Sequence, residues 1–256
     1  MNNTAQLDGG AAIPLLGLGT WQLRGRTAEQ IVARALDLGY RHIDTASLYG
    51  NEAEIGRALA ASGVPRADVF VTTKLPPQRV GRERETLSAS LDALQTDYVD
   101  LWLVHWPPRG AASRAAWRAF VAARERGLVR AIGVSNYNVS QIDDLTADSG
   151  ATPSVNQVPW SPFQHDASVL EQHRARGVVL EGYSPFKRSQ LSHAVLRETA
   201  GEHGVSAAQV VLRWHVQHGI VVIPKTATPA RLVENFDIAG FELSADEMRR
   251  VDALST

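Results

Sequence analysis

The sequence predicts an α/β protein whose strands close into a (β/α)₈ barrel, and three observations carry that prediction. Eight short apolar runs alternate with amphipathic segments along the 256 residues. Each run is rich in Val, Ile and Leu and ends in polar or turn residues, as parallel strands covered on both faces do. The length is about that of one such barrel, and eight strands favour closure over an open sheet.

In chain order the runs are LLGLGT, RHIDTA, VFVTTK, YVDLWLVHW, VRAIGVS, PSVNQV, GVVLEGYS and IVVIPKT. A short β-hairpin is expected before the first. Between the runs, AEQIVARALDLG sets Ile31, Ala35 and Leu38 on one helical face and stops at Gly39. SAAQVVLRWHVQHG has Ser206 as N-cap and Gly219 just past its end. A last segment, LSADEMRRVDAL, pairs Ser244 with Glu247 three residues later. That spacing is a capping box and predicts an extra C-terminal helix outside the barrel. With no linker, low-complexity stretch or longer repeat, residues 1–256 read as a single barrel domain.

Composition narrows the function. A formal net charge of -1 gives no reason to expect nucleic acid or an anionic membrane as partner. The chain has no cysteine, which excludes disulfides, thiolate metal sites and a cysteine nucleophile. No apolar run approaches the ~20 residues of a membrane span. MNNTAQLDGG lacks the basic and apolar regions of a secretory signal, so cytoplasmic residence is expected. GLGTWQ begins with dinucleotide-fingerprint spacing but puts Gln22 at its last position, and no acidic residue follows a βαβ unit at the required distance. A Rossmann site is therefore not expected.

The chemistry concentrates where strands run out. Asp44 and Tyr49 in HIDTASLYGNE, Lys74 after VFVTT and His105 in LWLVHWP follow three consecutive strand signals. Strand C-termini converge on one face of a parallel barrel, so these four side chains are expected to meet there. A free phenol, with a pKa near ~10, is a reluctant acid, and an adjacent ammonium lowers that barrier. Asp44 would keep Lys74 charged, and a neutral His105 would donate to a carbonyl oxygen. Each residue alone has a plainer reading: a buried ion pair, a packed tyrosine, a core histidine. Only the four together specify a proton-donating site. The other histidines, His42 included, lack metal-ligand spacing, and no metal is expected.

Past the eighth run, Lys225 is expected at the strand end, and Pro229 and Arg231 in the first turn of the next helix. Free N–H groups, a positive dipole end and two cations suit a dianionic phosphate such as a ribose 2′-phosphate. A helix with an incidentally basic start is the alternative. Trp21 and Trp106, just past strand ends, would wall a substrate pocket; Trp102, Trp117 and Trp214 read as core, and Trp160 is open.

These strings, from PLLGLGTW through HIDTA…YGNE, LVHWP, IGVSN, NQV, GYSPF and IPKT to ENF, resemble the aldo-keto reductases over nearly the whole chain. Any one block is weak, but eight in the family's order are specific. The resemblance implies a barrel enzyme that reduces aldehydes and ketones with NADPH, NADH being possible but weaker. It implies Tyr49 as proton donor, Lys74 and Asp44 beside it, and His105 orienting the substrate carbonyl. It further implies nicotinamide contacts from Ser135, Asn136, Gln157 and the ring of Tyr183. Lys225, Thr226, Arg231, Glu234 and Asn235 would hold the adenosine end, cap and surface positions being the alternative for Glu234 and Asn235. Gly19, Thr20, Trp21, Asp44, Ser184, Pro185, Phe186 and Ile223 are expected along the same cofactor groove. Substrate contacts are expected from Trp21, Tyr49, His105 and Trp106.

The chain also departs from the family's longer members. PPRGAASRAAW after Trp106 replaces an extended loop, KRSQLS after GYSPF lacks an acidic residue that straps the pyrophosphate, and no tail follows Thr256. The first and third match small bacterial members acting on diketo-gluconate and methylglyoxal-type carbonyls, and they predict a wide, open pocket. A monomer is expected, with a small carbonyl compound as its partner. Two rivals share parts of this pattern: a cofactor-binding regulatory subunit with weak or no turnover, and a phosphate-binding barrel isomerase or aldolase.

Overall fold

The computed structural model describes residues 4–187 and 189–255. Its first two strands, β1 (Thr4–Gln6) and β2 (Ala12–Pro14), form the expected antiparallel hairpin. The tip is turned by Gly9 and Gly10 at φ +86° and +85°, a region that a side chain would disfavour. Leu7 and Ile13 of the hairpin pack with Phe70, Leu101, Leu103, Ala131, Val155 and Val221, inward-facing residues of the barrel strands. The barrel is therefore plugged by apolar side chains, and its other end is left for chemistry.

Eight parallel strands follow in spatial order: β3 (Leu18–Gly19), β4 (His42–Asp44), β5 (Phe70–Leu75), β6 (Val99–Val104), β7 (Val129–Ser135), β8 (Val155–Pro159), β9 (Val179–Tyr183) and β10 (Val221–Val222). They coincide with the eight apolar runs, although β3 and β10 pair over only two residues each. The seam between those two closes the barrel. Leu16 bridges Val222 in parallel, and the Gly17 and Gly19 N–H groups donate to Val222 and Pro224 carbonyls at 2.9 and 3.1 Å. A Cβ on Gly19 would lie 2.7 Å from the Ile223 carbonyl oxygen, so the seam needs a glycine there.

Helices α1 (Gly25–Leu38), α2 (Glu52–Ala61), α3 (Glu83–Leu94), α4 (Ala111–Glu125), α5 (Val139–Ser149) and α6 (Ala167–Arg174) connect successive strands. Gly39 ends α1 in the left-handed region at φ 106°, as its position predicts. Between β9 and β10 lie two helices, α7 (Ala194–His203) and α8 (Ala207–Gln217). Ser206 caps α8 with a reciprocal box to Gln209, whereas α7 was not singled out in the sequence. After α9 (Pro229–Phe236), α10 (Ala245–Asp252) carries the predicted Ser244–Glu247 capping box. Trp102, Trp117 and Trp214 are fully buried, and Trp160 is buried at 5% exposure. Among the described residues, no helix is long and apolar enough to cross a membrane.

Candidate active site

Asp44 ends β4 and Lys74 sits one residue before the end of β5. The Lys74 ammonium donates to both Asp44 oxygens, at 2.6 and 2.7 Å, and to the Thr45 carbonyl at 2.8 Å. Lys74 is 0% exposed and Asp44 2%, so this is a buried and geometrically complete ion pair. Burial pushes the Asp44 carboxyl up, Lys74 and the Gln157 amide, donating at 2.8 Å, pull it down, and the net shift is upward. Burial alone would lower the Lys74 pKa, but the charge of Asp44 opposes it and the net shift is upward. The ammonium is thus held in its charged form.

Tyr49 closes a 3₁₀ turn, Ser47–Tyr49, five residues after β4 rather than at the strand end itself. The Ser47 hydroxyl donates to the Lys74 carbonyl at 3.0 Å and pins this turn to β5. Asn51 clamps it from the other side. Its side-chain oxygen accepts from the Thr45 hydroxyl at 2.8 Å, and its amide donates to the Thr20 and Leu23 carbonyls. The Lys74 Nζ lies 5.3 Å from the Tyr49 ring centroid. His105, just past β6, meets the same ring edge-on at 5.8 Å between centroids. The four residues are therefore brought together.

The electrostatics differ from the sequence expectation at one point. Lys74 does favour the Tyr49 phenolate, but burial acts more strongly and Asp44 adds to it, so the net shift is upward. Tyr49 is accordingly a neutral phenol that holds its proton. Burial, with help from Lys74, holds the His105 imidazole down to about 3, which makes it neutral and able to donate one hydrogen bond.

Above this group opens a cavity of about 450 Å³. Its wall includes thirteen of the expected residues: Gly19, Trp21, Asp44, Tyr49, His105, Trp106, Ser135, Asn136, Gln157, Tyr183, Ser184, Ile223 and Lys225, together with Leu48 and Lys187. Trp21 and Trp106 are each 49% exposed and Leu48 53%, an apolar rim at the mouth. One wall is already organised. The Asn136 amide donates to the His105 carbonyl and the Ser135 hydroxyl at 3.2 and 2.9 Å and accepts from Tyr183 Oη at 2.9 Å. Ser135 donates in turn to the Gln157 carbonyl at 2.8 Å. Asn136 and Ser184 hold φ of 64° and 55°, uncommon for non-glycine residues and found here just past the ends of β7 and β9.

Several expected contacts lie elsewhere. Thr20 is fully buried and its hydroxyl donates to the Asp44 carbonyl, so it supports the turn instead of lining the cavity. Phe186 packs into the apolar clusters around Trp160 and Leu212, and Pro185 is buried. Lys74 is not part of the cavity wall and meets it only through its bonds to Asp44. Lys225 does not end the eighth strand, which stops at Val222; the chain leaves the ladder at Pro224, which has no N–H to donate. Lys225 nonetheless reaches the cavity, whereas Thr226, just before α9, and Arg231, Glu234 and Asn235 on that helix are not part of its wall. Pro229 opens that helix and its N-cap, Thr228, makes no side-chain cap bond. Among the described residues no ion pair engages exposed Lys225 or Arg231. Thr226 and Asn235 are buried. A polar wall, a tyrosine ring and a basic, uncapped helix start fit a nicotinamide dinucleotide.

Sequence reasoning passed over two buried groups. Asn51 sits inside the YGNE string and Glu181 inside GVVLEGYS; the signal for the latter was a lone carboxylate in an otherwise apolar parallel strand.

Comparison with known proteins agrees with this geometry. The Aldo/keto reductase family model matches residues 15–256. The chain is 43% identical over 257 residues to 2,5-diketo-D-gluconic acid reductase B of a Corynebacterium species, covering 98% of this chain and 92% of that protein. Against the methylglyoxal reductase DkgA of Yersinia pestis it is 37% identical over 258 residues, covering 99% and 93% respectively. A crystal structure of an aldo/keto reductase from Brucella melitensis superposes with a TM-score of 0.95 at 41% identity, covering 98% of this chain and 99% of that one.

Proposed function

The chain belongs to the aldo/keto reductase family, and from that premise we propose that it reduces small aldehydes and ketones with NADPH, Tyr49 giving the proton. The observation that carries this reading is the buried Lys74–Asp44 pair set beneath a neutral tyrosine and a neutral histidine at the cavity floor. NADPH bound along the Ser135–Asn136–Gln157–Tyr183 wall would supply the hydride. Everything else in the reaction belongs to the chain.

As a carbonyl carbon is reduced, negative charge grows on its oxygen and has to be met by a proton and fixed dipoles. The Tyr49 hydroxyl is protonated at neutral pH and delivers that proton. Lys74 stabilises the phenolate left behind, an effect exerted only as the proton moves, and Asp44 keeps Lys74 charged in a site closed to water. His105 donates from its neutral ring and sets the carbonyl's direction. Lys225 and Arg231 would hold the 2′-phosphate at the open start of α9, which favours NADPH over NADH. Methylglyoxal and diketo-sugar acids, named in the relatives, are the first substrates to try.

The test is a cofactor-oxidation assay over a panel of aldehydes, dicarbonyls and ketones, with NADPH and NADH in parallel. Turnover that prefers NADPH supports the proposal. Cofactor binding without turnover on any carbonyl would make the chain a binding subunit.

A further inference from the structure

The polar column under the cavity continues deeper than the proposed chemistry requires. Glu181, on β9, is 0% exposed, and neither of its carboxyl oxygens has a hydrogen-bond partner among the described residues. Its register partner on β8 is Gln157, whose amide donates to Asp44 at 2.8 Å. On β4, His42 Nε2 stands 3.7 Å from Glu181 Oε1, too far for a hydrogen bond, and is 3.2 Å from the Thr72 hydroxyl. His42 is itself 0% exposed, and burial holds it down to about 3, so it offers Glu181 no positive charge.

The titratable groups around Glu181 are few. His42 and Asp44 face it from β4 and Lys74 from β5, and it acts on Tyr49 across the cavity floor. Its neighbours on β8 and β10, Gln157 and Val221, do not titrate. One cation therefore serves two buried carboxyls, and its three hydrogen bonds all go to Asp44 and Thr45. An ionised carboxyl with neither a partner nor solvent is strongly disfavoured. Burial and the Asp44 charge push Glu181 up to about 8, against a weaker downward pull from the Gln157 amide and Lys74.

We propose that Glu181 is a positioning residue for the Tyr49–Lys74–Asp44 group, a buried acid kept neutral so that Lys74 is balanced by Asp44 alone. Ionising it places a second anion beneath Lys74, weakens the hold of the ammonium on the phenolate and raises the pH at which Tyr49 gives up its proton. This rests on Tyr49 being the proton donor, which Tyr49→Phe tests separately.

The experiment compares the wild-type chain with Glu181→Gln, isosteric and always neutral, and with Glu181→Met, of similar volume and without polar atoms. In wild type, Glu181 is ionised before Tyr49 titrates, whereas in both variants it is not. The alkaline limb of kcat/KM for carbonyl reduction should therefore move to lower pH by roughly one unit, the size an uncompensated neighbouring charge imposes on a buried group. A carboxylic-acid C=O stretching band in the infrared spectrum at pH 6 should be lost in both variants.

A thermal readout has a defined sign as well. The folded pKa of Glu181 lies above its unfolded value of 4.5, so its contribution to stability is full below about 4.5 and lost as pH rises to about 8. The Tm of Glu181→Gln relative to wild type should climb across that window and then level off. Superimposable pH–rate profiles for the three proteins, with a constant Tm difference from pH 5 to pH 8, would overturn the proposal. If one variant fails to fold, the other decides alone; if neither folds, the infrared band in wild type decides, and its absence refutes a neutral acid. Should Tyr49→Phe retain turnover, the tyrosine reading fails whatever Glu181 does.

Discussion

Replacing Lys74 by Met tests both the energetics and the chemistry of the site. Methionine keeps much of the side-chain volume but removes three hydrogen bonds, two to Asp44 and one to the Thr45 carbonyl. Asp44, 2% exposed, then keeps only the Gln157 amide as a side-chain donor. Breaking a buried pair in this way costs about 3–5 kcal/mol. In a chain of this size each kcal/mol is worth about 2–4 °C, which gives a fall in Tm of about 6–20 °C. The loss should also depend on pH. Without its cation, Asp44 escapes the penalty by taking up a proton: its folded pKa, which burial already holds above the ordinary value, rises further. Stability is then retained at low pH and lost as pH rises, so the gap from wild type should be smaller at pH 5 than at pH 8. The phenolate loses its stabilising charge as well, and kcat should fall at least ~10²-fold, the lower end of what general acid catalysis supplies. Calorimetry and steady-state kinetics on one preparation measure both. A variant that melts with wild type, or whose deficit is the same at both pH values, would show that Lys74 is not a buried partner of Asp44.

Other consequences can be checked as directly. Arg231→Ala should weaken NADPH binding by roughly tenfold or more, one lost charge-assisted hydrogen bond being worth about 1.5–3 kcal/mol, while NADH affinity barely changes; fluorescence titrations giving equal losses would contradict the 2′-phosphate role. Trp21→Ala removes a half-exposed wall of the mouth and should raise KM for aromatic aldehydes more than it lowers kcat, because the ring contacts ground and transition states alike. A fall in kcat with KM unchanged would count against that. His105, held down to about 3, stays neutral through the assay range, so no limb near its unperturbed pKa of ~6.5 should appear in kcat/KM. A limb there that vanishes in His105→Gln would refute the neutral-imidazole assignment.

The features legible in the sequence are those that rest on local pattern. Eight strand runs, the Gly39 stop and the Ser206 and Ser244 caps need only periodicity and hydrogen-bond chemistry, and each stands where expected. The meeting of Asp44, Tyr49, Lys74 and His105 was legible because parallel topology fixes which ends converge. What was missed depends on long-range closure. β10 is short because the chain must leave its ladder to meet Gly17 and Gly19 at the seam, and no local pattern specifies that. Thr20 and Phe186 look like groove residues by position, but their side chains turn to a carbonyl and into apolar packing. The direction of the Tyr49 shift was misjudged for a similar reason. The charge of Lys74 is written in the sequence, whereas the depth of burial that outweighs it appears only in three dimensions.

The central claim is that Tyr49 gives the proton, and Tyr49→Phe tests it most directly. The change removes one hydroxyl and leaves the ring between Lys74 and His105, so the fold and the cofactor wall should persist. NADPH affinity should stay within about twofold of wild type while kcat for carbonyl reduction falls by ~10²–10⁴-fold or more. A folded Tyr49→Phe protein that binds NADPH normally and keeps more than about a tenth of wild-type kcat would contradict the account.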